Sequence, residues 1–304
     1  MLTIADIWRR VSCAALLLVA GTAAAPAQPL APQSSPQAIE RVTFPSVDGT
    51  TTLVGYVFKP AAPPGTRMPA VVMMHGRAGV YSSRADGVYD ATTLSQRHQF
   101  WGRRWAEQGY IAVLVDGFGA RGYPRGFPRH SYKDRPPELD EVTVRPLDAY
   151  GALAYLRSRP DVLGDRVGLQ GWSNGGSAAL ANMATDAPGI VDHTPAAGFR
   201  AALAFYPACG LKDHFDATGY SVYAPLRLFI GTADEEVSPR ACRGLLEDAR
   251  GEIESKFYRG ATHDFDDPGP RRQRVDANAR ARDDVIERAT RFFAARLGRA
   301  PWHQ

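Results

Sequence analysis

A series of short, continuously apolar runs constrains the fold of this chain more than any other feature. Runs of this kind, without polar alternation, are typical of strands that are buried on both faces of a parallel sheet. Stretches with helical periodicity separate the runs, so the pattern predicts an α/β fold with a mostly parallel central sheet and helices on both faces. The runs span residues 70–74, 111–115, 167–169, 201–205 and 226–230.

Two segments that precede this series alternate apolar and polar residues instead. Residues 39–46 and 52–58 flank Asp48-Gly49, which predicts an N-terminal antiparallel hairpin. No repeat or long linker follows, so residues 38–304 are predicted to form one domain. Helical spacing places four residues on one face of a middle helix and four on one face of the last helix: Leu147, Tyr150, Gly151 and Ala154, and Val285, Ala289, Phe292 and Phe293.

The N-terminal residues have the three parts of a secretory signal peptide. Arg9 and Arg10 precede an apolar stretch over residues 11–20, and Ala25-Pro26-Ala27 offers a small-residue cleavage site. We therefore predict a signal peptide over residues 1–27 and a flexible lead-in, rich in Pro, Gln and Ser, over residues 28–37. The chain is expected to be exported, to the periplasm or beyond; an uncleaved membrane anchor is the alternative.

Charge and cysteine content narrow the function classes. The net charge is +4, from 36 basic and 32 acidic residues, which is too small a surplus to indicate nucleic-acid binding. After residue 30 no apolar run is long enough to cross a bilayer, so no membrane association is expected once the signal is removed. Cys209 and Cys242 then form an even pair in an oxidising compartment, which predicts a disulfide. A thiol nucleophile is the rival interpretation, and neither cysteine has a motif that supports it.

The motif that indicates chemistry follows the predicted strand at residues 166–170, which contains the apolar run 167–169. Gly171-Trp172-Ser173-Asn174-Gly175 matches G-x-S-x-G and is followed by residues that favour a helix. A strand, a sharp turn and a helix are the context in which such a serine becomes an exposed, strained nucleophile. We predict that Ser173 is that nucleophile. The alternative is a glycine-rich turn without a catalytic role.

A serine nucleophile needs a base and an orienting acid, in the chain order Ser, Asp, His for this arrangement. Asp234 follows the strand that ends at Gly231, and His263 follows the final predicted strand at residues 252–258. We predict that these two complete a triad with Ser173, and that Asp264 and Asp266 form a solvated rim beside the base. Three other carboxylates compete with Asp234 for the role of the acid: Glu235, Glu236 and Asp116.

The loop after the run at residues 70–74 supplies a candidate oxyanion hole. It begins His75-Gly76-Arg77, and a backbone N–H from this loop is expected to act with the N–H of the residue after the nucleophile. The predicted donors are therefore the main-chain amides of Arg77 and Asn174. A simple turn at the end of a strand is the alternative.

Five segments share their order with a known family. They are Val72-Met73-Met74-His75-Gly76, residues 116–122, Gly171-Trp172-Ser173-Asn174-Gly175-Gly176, Gly231-Thr232-Ala233-Asp234 and residues 260–265. Together they resemble the dienelactone hydrolase family of α/β-hydrolases. The resemblance implies an α/β-hydrolase fold without a large cap, a Ser173, Asp234 and His263 triad, no metal and no cofactor. The namesake enzymes use a cysteine where Ser173 stands and a glutamate where Gly76 stands, which indicates a serine activated by His263.

The resemblance implies hydrolysis of a small ester or lactone through an acyl-enzyme, and it makes no prediction of oligomeric state. Two residues are candidates for substrate binding. Arg121 resembles the family's carboxylate-binding arginine, although its loop also fits a solvated surface, and Trp172 either lines the acyl pocket or packs below it. An exported peptidase of the prolyl-oligopeptidase type and a non-catalytic exported binding protein on a hydrolase scaffold are the alternative functions.

Overall fold

The strands predicted from apolar runs form one sheet at the centre of the molecule. The computed structural model describes residues 38–299, so the predicted signal peptide and lead-in lie outside the described residues. The eight strands within the described range are β1 Glu40–Pro45, β2 Thr52–Phe58, β3 Met68–Met74, β4 Ile111–Asp116, β5 Val162–Trp172, β6 Ala201–Phe205, β7 Leu226–Gly231 and β8 Ile253–Tyr258.

The sheet has the strand order β1-β2-β4-β3-β5-β6-β7-β8. The β1–β2 and β2–β4 pairs are antiparallel, and every other neighbouring pair is parallel. Both the predicted N-terminal hairpin and the predicted parallel sheet are therefore confirmed. Every residue of β3, β4 and β6 is buried, as expected of strands that carry helices on both sides.

Helices cover both faces of this sheet. They are α1 Gln96–Glu107, α2 Arg145–Ser158, α3 Asn174–Met183, α4 Pro239–Glu247, α5 Pro270–Gln273 and α6 Asp276–Leu297. Two glycines of β5 point to opposite faces of the sheet and show which helices lie there. A Cβ on Gly168 would meet Phe293 of α6, whereas a Cβ on Gly171 would meet Gly175 of α3. On the α6 side Trp105 of α1 packs against Phe293, with ring centroids 5.1 Å apart.

The two predicted helix faces have different outcomes. In α6 the four predicted residues are all buried. In α2 the prediction is wrong, because Ala154 is exposed and the buried face includes the charged residues Arg145 and Asp148. Apolar spacing cannot identify a buried face that carries charges.

The predicted pair of cysteines is bonded. Cys209, in the loop after β6, is joined to Cys242 of α4 across 33 residues of sequence. The bridge therefore ties a loop at the carboxyl edge of the sheet to the helix that follows β7. Among residues 38–299, the structure contains no helix that is long and apolar enough to span a membrane.

Candidate active site

Ser173 lies in the sharp turn between β5 and α3. Its backbone has φ 53° and ψ −116°, a strained conformation for a residue with a side chain, as the motif predicts. The turn requires glycine on both sides: a Cβ on Gly171 would lie 1.9 Å from the carbonyl oxygen of Gly175, and one on Gly175 would lie 2.1 Å from that of Met74. The Ser173 hydroxyl is thereby held at the carboxyl edge of the sheet, where ligands bind in open α/β folds.

The structure brings His263 and Asp234 to this serine. The Ser173 hydroxyl lies 3.0 Å from Nε2 of His263, and Nδ1 of His263 lies 2.8 Å from Oδ2 of Asp234. Oδ1 of Asp234 also accepts two hydrogen bonds of 2.9 Å from the backbone N–H groups of Glu236 and Val237. These bonds fix the carboxylate, which in turn orients the imidazole so that Nε2 faces the serine.

The surroundings of His263 favour its protonated form. Burial acts against that form, but the hydrogen bond to Asp234 and the negative charges of Asp264, Asp234 and Glu236 outweigh it, so the pKa of His263 is raised above its ordinary value of 6.5. A raised pKa makes the imidazole a stronger base, so it accepts the proton of the Ser173 hydroxyl more readily.

The two glutamates that competed with Asp234 have other contacts. Glu235 accepts the backbone N–H of His263 at 2.9 Å. Glu236 binds the guanidinium of Arg77 through two hydrogen bonds of 2.6 and 2.9 Å, and its Oε2 lies 3.9 Å from Nε2 of His263. Burial raises the pKa of Glu236, but Arg77 and the charge of His263 outweigh it, so the net shift is downward. Glu236 is therefore a charged neighbour of the imidazole, a role that the sequence alone does not indicate.

The predicted oxyanion donors flank the nucleophile. A Cβ on Gly76 would lie 3.3 Å from Cβ of Ser173, so the loop after β3 passes directly over the serine. Arg77 follows Gly76, and Asn174 is the first residue of α3. The main-chain amides of both residues thus belong to segments in contact with Ser173.

The predicted solvated rim beside the base is wrong for Asp266. Its side chain is completely buried and accepts three hydrogen bonds from different elements. The indole N–H groups of Trp101 and Trp172 lie 2.8 and 2.9 Å away, and the hydroxyl of Tyr206 lies 2.6 Å away. The Tyr206 ring in turn packs on His263, with ring centroids 4.6 Å apart. Asp266 therefore links the strand that precedes Ser173 to the residue that packs on the base.

Asp264 also differs from the predicted rim. It is largely buried and forms ion pairs with Arg97 at 2.7 Å and Arg272 at 3.3 Å. Burial raises the pKa of this carboxyl, but Arg97, His263 and Arg272 outweigh it, so the pKa lies below its ordinary range. Asp264 thus carries a negative charge next to His263 and within a set of ion pairs, and it does not form a solvated rim.

Two pockets meet at Ser173. The first has a volume of about 480 Å³ and includes the side chains of Ser83, Arg97 and His263 in its wall. The second has a volume of about 610 Å³ and extends towards Tyr132 and Arg135. Both pockets are bordered by three shared residues: Arg77, Ser173 and Glu236. The Arg77–Glu236 ion pair therefore stands between two cavities that both reach the serine.

Neither of the two residues predicted to bind substrate lines these pockets. The guanidinium of Arg121 donates two hydrogen bonds to Asp148, at 2.8 and 2.9 Å, and one to Asp48, at 2.8 Å. This corrects the prediction for Arg121, because both of its terminal nitrogens are bound by carboxylates of its own chain. Trp172 is completely buried and packs below the nucleophile, so it does not line the acyl pocket.

One group of potential metal ligands occurs among residues 38–299, and it lies at this site. Ligand atoms of Glu236, His263 and Asp264 lie within 4.8 Å of one another. His263 is already bound to Ser173 and Asp234. Because each of the two carboxylates is already neutralised by two arginines, a metal ion would have to displace those cations, and we assign none. The pairs are Arg77 and Arg129 at Glu236, and Arg97 and Arg272 at Asp264.

Comparison with known proteins identifies the sequence family. A model of the dienelactone hydrolase family matches residues 53–297, which is most of the chain. Human dipeptidyl peptidase 8 is 32% identical over 151 residues, or 46% of this chain, but this chain spans only 14% of the length of that protein.

Solved structures show the same fold at low sequence identity. Esterase 2 of Thermogutta terrifontis, in the form phosphorylated by paraoxon, is 22% identical with a TM-score of 0.59, covering 90% of this chain and 99% of the esterase. A Klebsiella pneumoniae protein with the provisional name dienelactone hydrolase is 16% identical with a TM-score of 0.55, covering 85% of this chain and 99% of its own.

Proposed function

The chain belongs to the dienelactone hydrolase family, and from this premise we propose that it is a carboxylic-ester hydrolase that cleaves a small ester or lactone through a Ser173–His263–Asp234 triad and an acyl-enzyme. The observation that carries the proposal is the chain of hydrogen bonds from Ser173 through His263 to Asp234, at 3.0 and 2.8 Å. The three residues come from loops after three different strands. Their geometry supports activation of the Ser173 hydroxyl by His263, with Asp234 orienting the imidazole.

In the proposed first step, Oγ of Ser173 attacks the carbonyl carbon of the ester while Nε2 of His263 takes the hydroxyl proton. The carbonyl oxygen becomes an oxyanion, which the main-chain N–H groups of Arg77 and Asn174 stabilise. Asp234 stabilises the imidazolium that forms. When the intermediate collapses, the proton moves from His263 to the leaving oxygen and the acyl group remains on Ser173.

The second step repeats this chemistry with water. His263 takes a proton from water, the hydroxide oxygen attacks the acyl carbon, and the proton then returns to Ser173 as the acid leaves. With a lactone, the leaving oxygen stays attached to the acyl chain, so a single hydroxy acid is released. Pockets of about 480 and 610 Å³ meet at the nucleophile. They support an ester substrate whose acyl and alcohol groups are both small.

A fluorophosphonate probe tests the proposed nucleophile directly. We expect the purified protein to be labelled on Ser173, as mapped by peptide mass spectrometry, and the Ser173→Ala variant to lose both the label and the hydrolysis of p-nitrophenyl acetate. Ser83→Ala is the matched control, because Ser83 lines the same pocket and has no role in the mechanism. Label on another residue, or activity retained in Ser173→Ala, would overturn the proposal.

A peptidase is the second candidate, because of the 151-residue similarity to dipeptidyl peptidase 8. The two functions differ in the leaving group, which is an alcohol for an ester and an amine for a peptide. Matched ester and amide substrates with the same acyl group, such as alanyl p-nitrophenyl ester and alanyl p-nitroanilide, separate them. Efficient turnover of the amide would favour the peptidase.

We also propose that the protein is exported, to the periplasm or to the medium. The disulfide between Cys209 and Cys242 supports an oxidising compartment. Expression of the full chain in a bacterium, followed by fractionation and N-terminal sequencing, tests this proposal. An N-terminus at Gln28 in the exported fraction is expected, whereas an uncleaved chain in the membrane fraction would indicate an anchor.

A further inference from the structure

Arg145 is a completely buried arginine that lies behind the nucleophile. It is the first residue of α2, and its guanidinium lies over the ring of Phe118, 5.0 Å from the centroid. Its Nε and Nη2 atoms have no hydrogen-bond partner among the described residues, so its burial is only partly compensated. A buried cation with unsatisfied donors contributes poorly to stability, which points to another reason for its presence.

The one nitrogen of Arg145 that has partners joins the two halves of the oxyanion hole. Nη1 donates to the carbonyl oxygen of His75 at 2.7 Å and to Oδ1 of Asn174 at 2.5 Å. His75 begins the loop that carries the Arg77 amide, and Asn174 supplies the other amide from its own main chain. A single atom thus holds both of the segments from which the oxyanion donors project.

Other contacts fix the same two segments without joining them. The Asn174 side chain donates to Glu141 at 3.0 Å, which orients its amide so that Oδ1 faces Arg145. A Cβ on Gly175 would lie 2.6 Å from the carbonyl oxygen of His75, so the loop after β3 and the start of α3 are in close contact. Arg145 therefore joins the loop after β3 to the start of α3 through hydrogen bonds, and we call this link the clamp. A small displacement of either segment would change the distance between the Arg77 and Asn174 amides.

We propose that Arg145 is a positioning residue that sets the distance between the Arg77 and Asn174 amides for the developing oxyanion. This inference rests on the proposed function, because it assigns a role within the same reaction. Donors that are preorganised for the transition state increase kcat, whereas donors that bind the ground state equally well change only KM. Loss of the clamp is therefore expected to lower kcat far more than it raises KM.

The test compares Arg145→Met and Arg145→Lys with the wild-type protein on a p-nitrophenyl ester. We expect Arg145→Met to lower kcat by about 100-fold, the typical effect of a misplaced or missing oxyanion donor, with little change in KM. Arg145→Lys keeps the charge and a hydrogen-bond donor, so its loss is expected to be smaller than that of Arg145→Met, but some loss remains because an ammonium cannot reproduce the guanidinium geometry at both acceptors. Arg121→Lys is the matched control, because the Arg121 side chain is also largely buried and ion-paired but lies outside both pockets.

A transition-state analogue gives a readout that a purely structural role would not change. A trifluoromethyl ketone adds to Oγ of Ser173 and places an oxyanion in the same position as the substrate does. Its inhibition constant is expected to rise in Arg145→Met by the same factor by which kcat/KM falls. The pH profile is expected to keep its acid limb, because Arg145 does not contact His263 or Asp234.

The outcomes separate the inference from the proposed function. If Arg145→Met is folded and its kcat lies within about threefold of the wild type, the inference is wrong even though Ser173 is catalytic. If Arg145→Met does not fold, Asn174→Ala decides, since it removes one acceptor of the clamp and keeps the main-chain amide. An unchanged kcat in Asn174→Ala would then overturn the inference. A wild-type protein without esterase activity would instead overturn the proposed function.

Discussion

Replacement of Asp266 tests whether the buried carboxylate holds the site together. Asp266 accepts hydrogen bonds of 2.6 to 2.9 Å from three buried donors: Trp101, Trp172 and Tyr206. Each buried donor that loses its partner lowers the free energy of unfolding by about 1–3 kcal/mol. For the three donors of Asp266, the substitution Asp266→Ala would therefore lower it by about 3–9 kcal/mol. Removal of a buried charge returns part of this cost, and we expect a net loss of about 3–5 kcal/mol in the free energy of unfolding.

Urea unfolding followed by tryptophan fluorescence measures this loss. Asp266→Asn keeps one acceptor oxygen, so it is expected to lose less than Asp266→Ala. Asp267→Ala is the control, because Asp267 is partly exposed and its ion pair with Arg97 is 3.2 Å long; its loss is expected to stay below about 1 kcal/mol. A loss below about 1 kcal/mol in Asp266→Ala would refute the reasoning that these bonds are a main support of the site.

Three further predictions concern the triad, the pH profile and the disulfide. Asp234→Asn is expected to lower kcat by about 10⁴-fold, because the amide favours the wrong imidazole tautomer; a loss below tenfold would contradict the role of Asp234. Because the pKa of His263 is raised, kcat/KM is expected to fall as pH drops through a value above the ordinary 6.5. Glu236→Gln removes a charge that favours the imidazolium, so the acid limb is expected to move to lower pH, whereas Glu235→Gln should leave it in place. Cys209→Ser with Cys242→Ser is expected to lower stability by about 4 kcal/mol, since the bond closes a long loop; urea midpoints with and without reductant check this value.

The strands and the order of the candidate triad could be predicted because the sequence signals them locally. The continuous apolar runs that the prediction used all lie in buried strands, and β6 has the predicted bounds. Ser173, Asp234 and His263 follow from the same rule, since loops after parallel strands meet at one edge of the sheet. β5 begins earlier than predicted because the exposed residues Asp165 and Arg166 separate its first residues from the apolar run.

Residues whose roles depend on distant partners could not be predicted in this way. Asp266 lies in a polar stretch of sequence, and its three donors come from α1, β5 and the residue directly after β6, which meet only in the folded chain. His98 lies in a polar stretch of sequence, yet it is buried and its Nδ1 lies 2.9 Å from the carbonyl oxygen of Val80. Arg145 has no local motif, because its two acceptors are 29 and 70 residues away in sequence.

The two cavities at Ser173 have a consequence for how such an enzyme can diversify. Apart from the three shared border residues, the first cavity is formed mainly by residues between 78 and 98 and between 263 and 270, and the second by residues between 130 and 141 and between 208 and 241. Mutations that reshape one wall at positions other than His263 therefore leave the other wall and the reacting groups unchanged. Specificity for the part of a substrate that binds in one cavity can therefore change during evolution while specificity for the other part is retained.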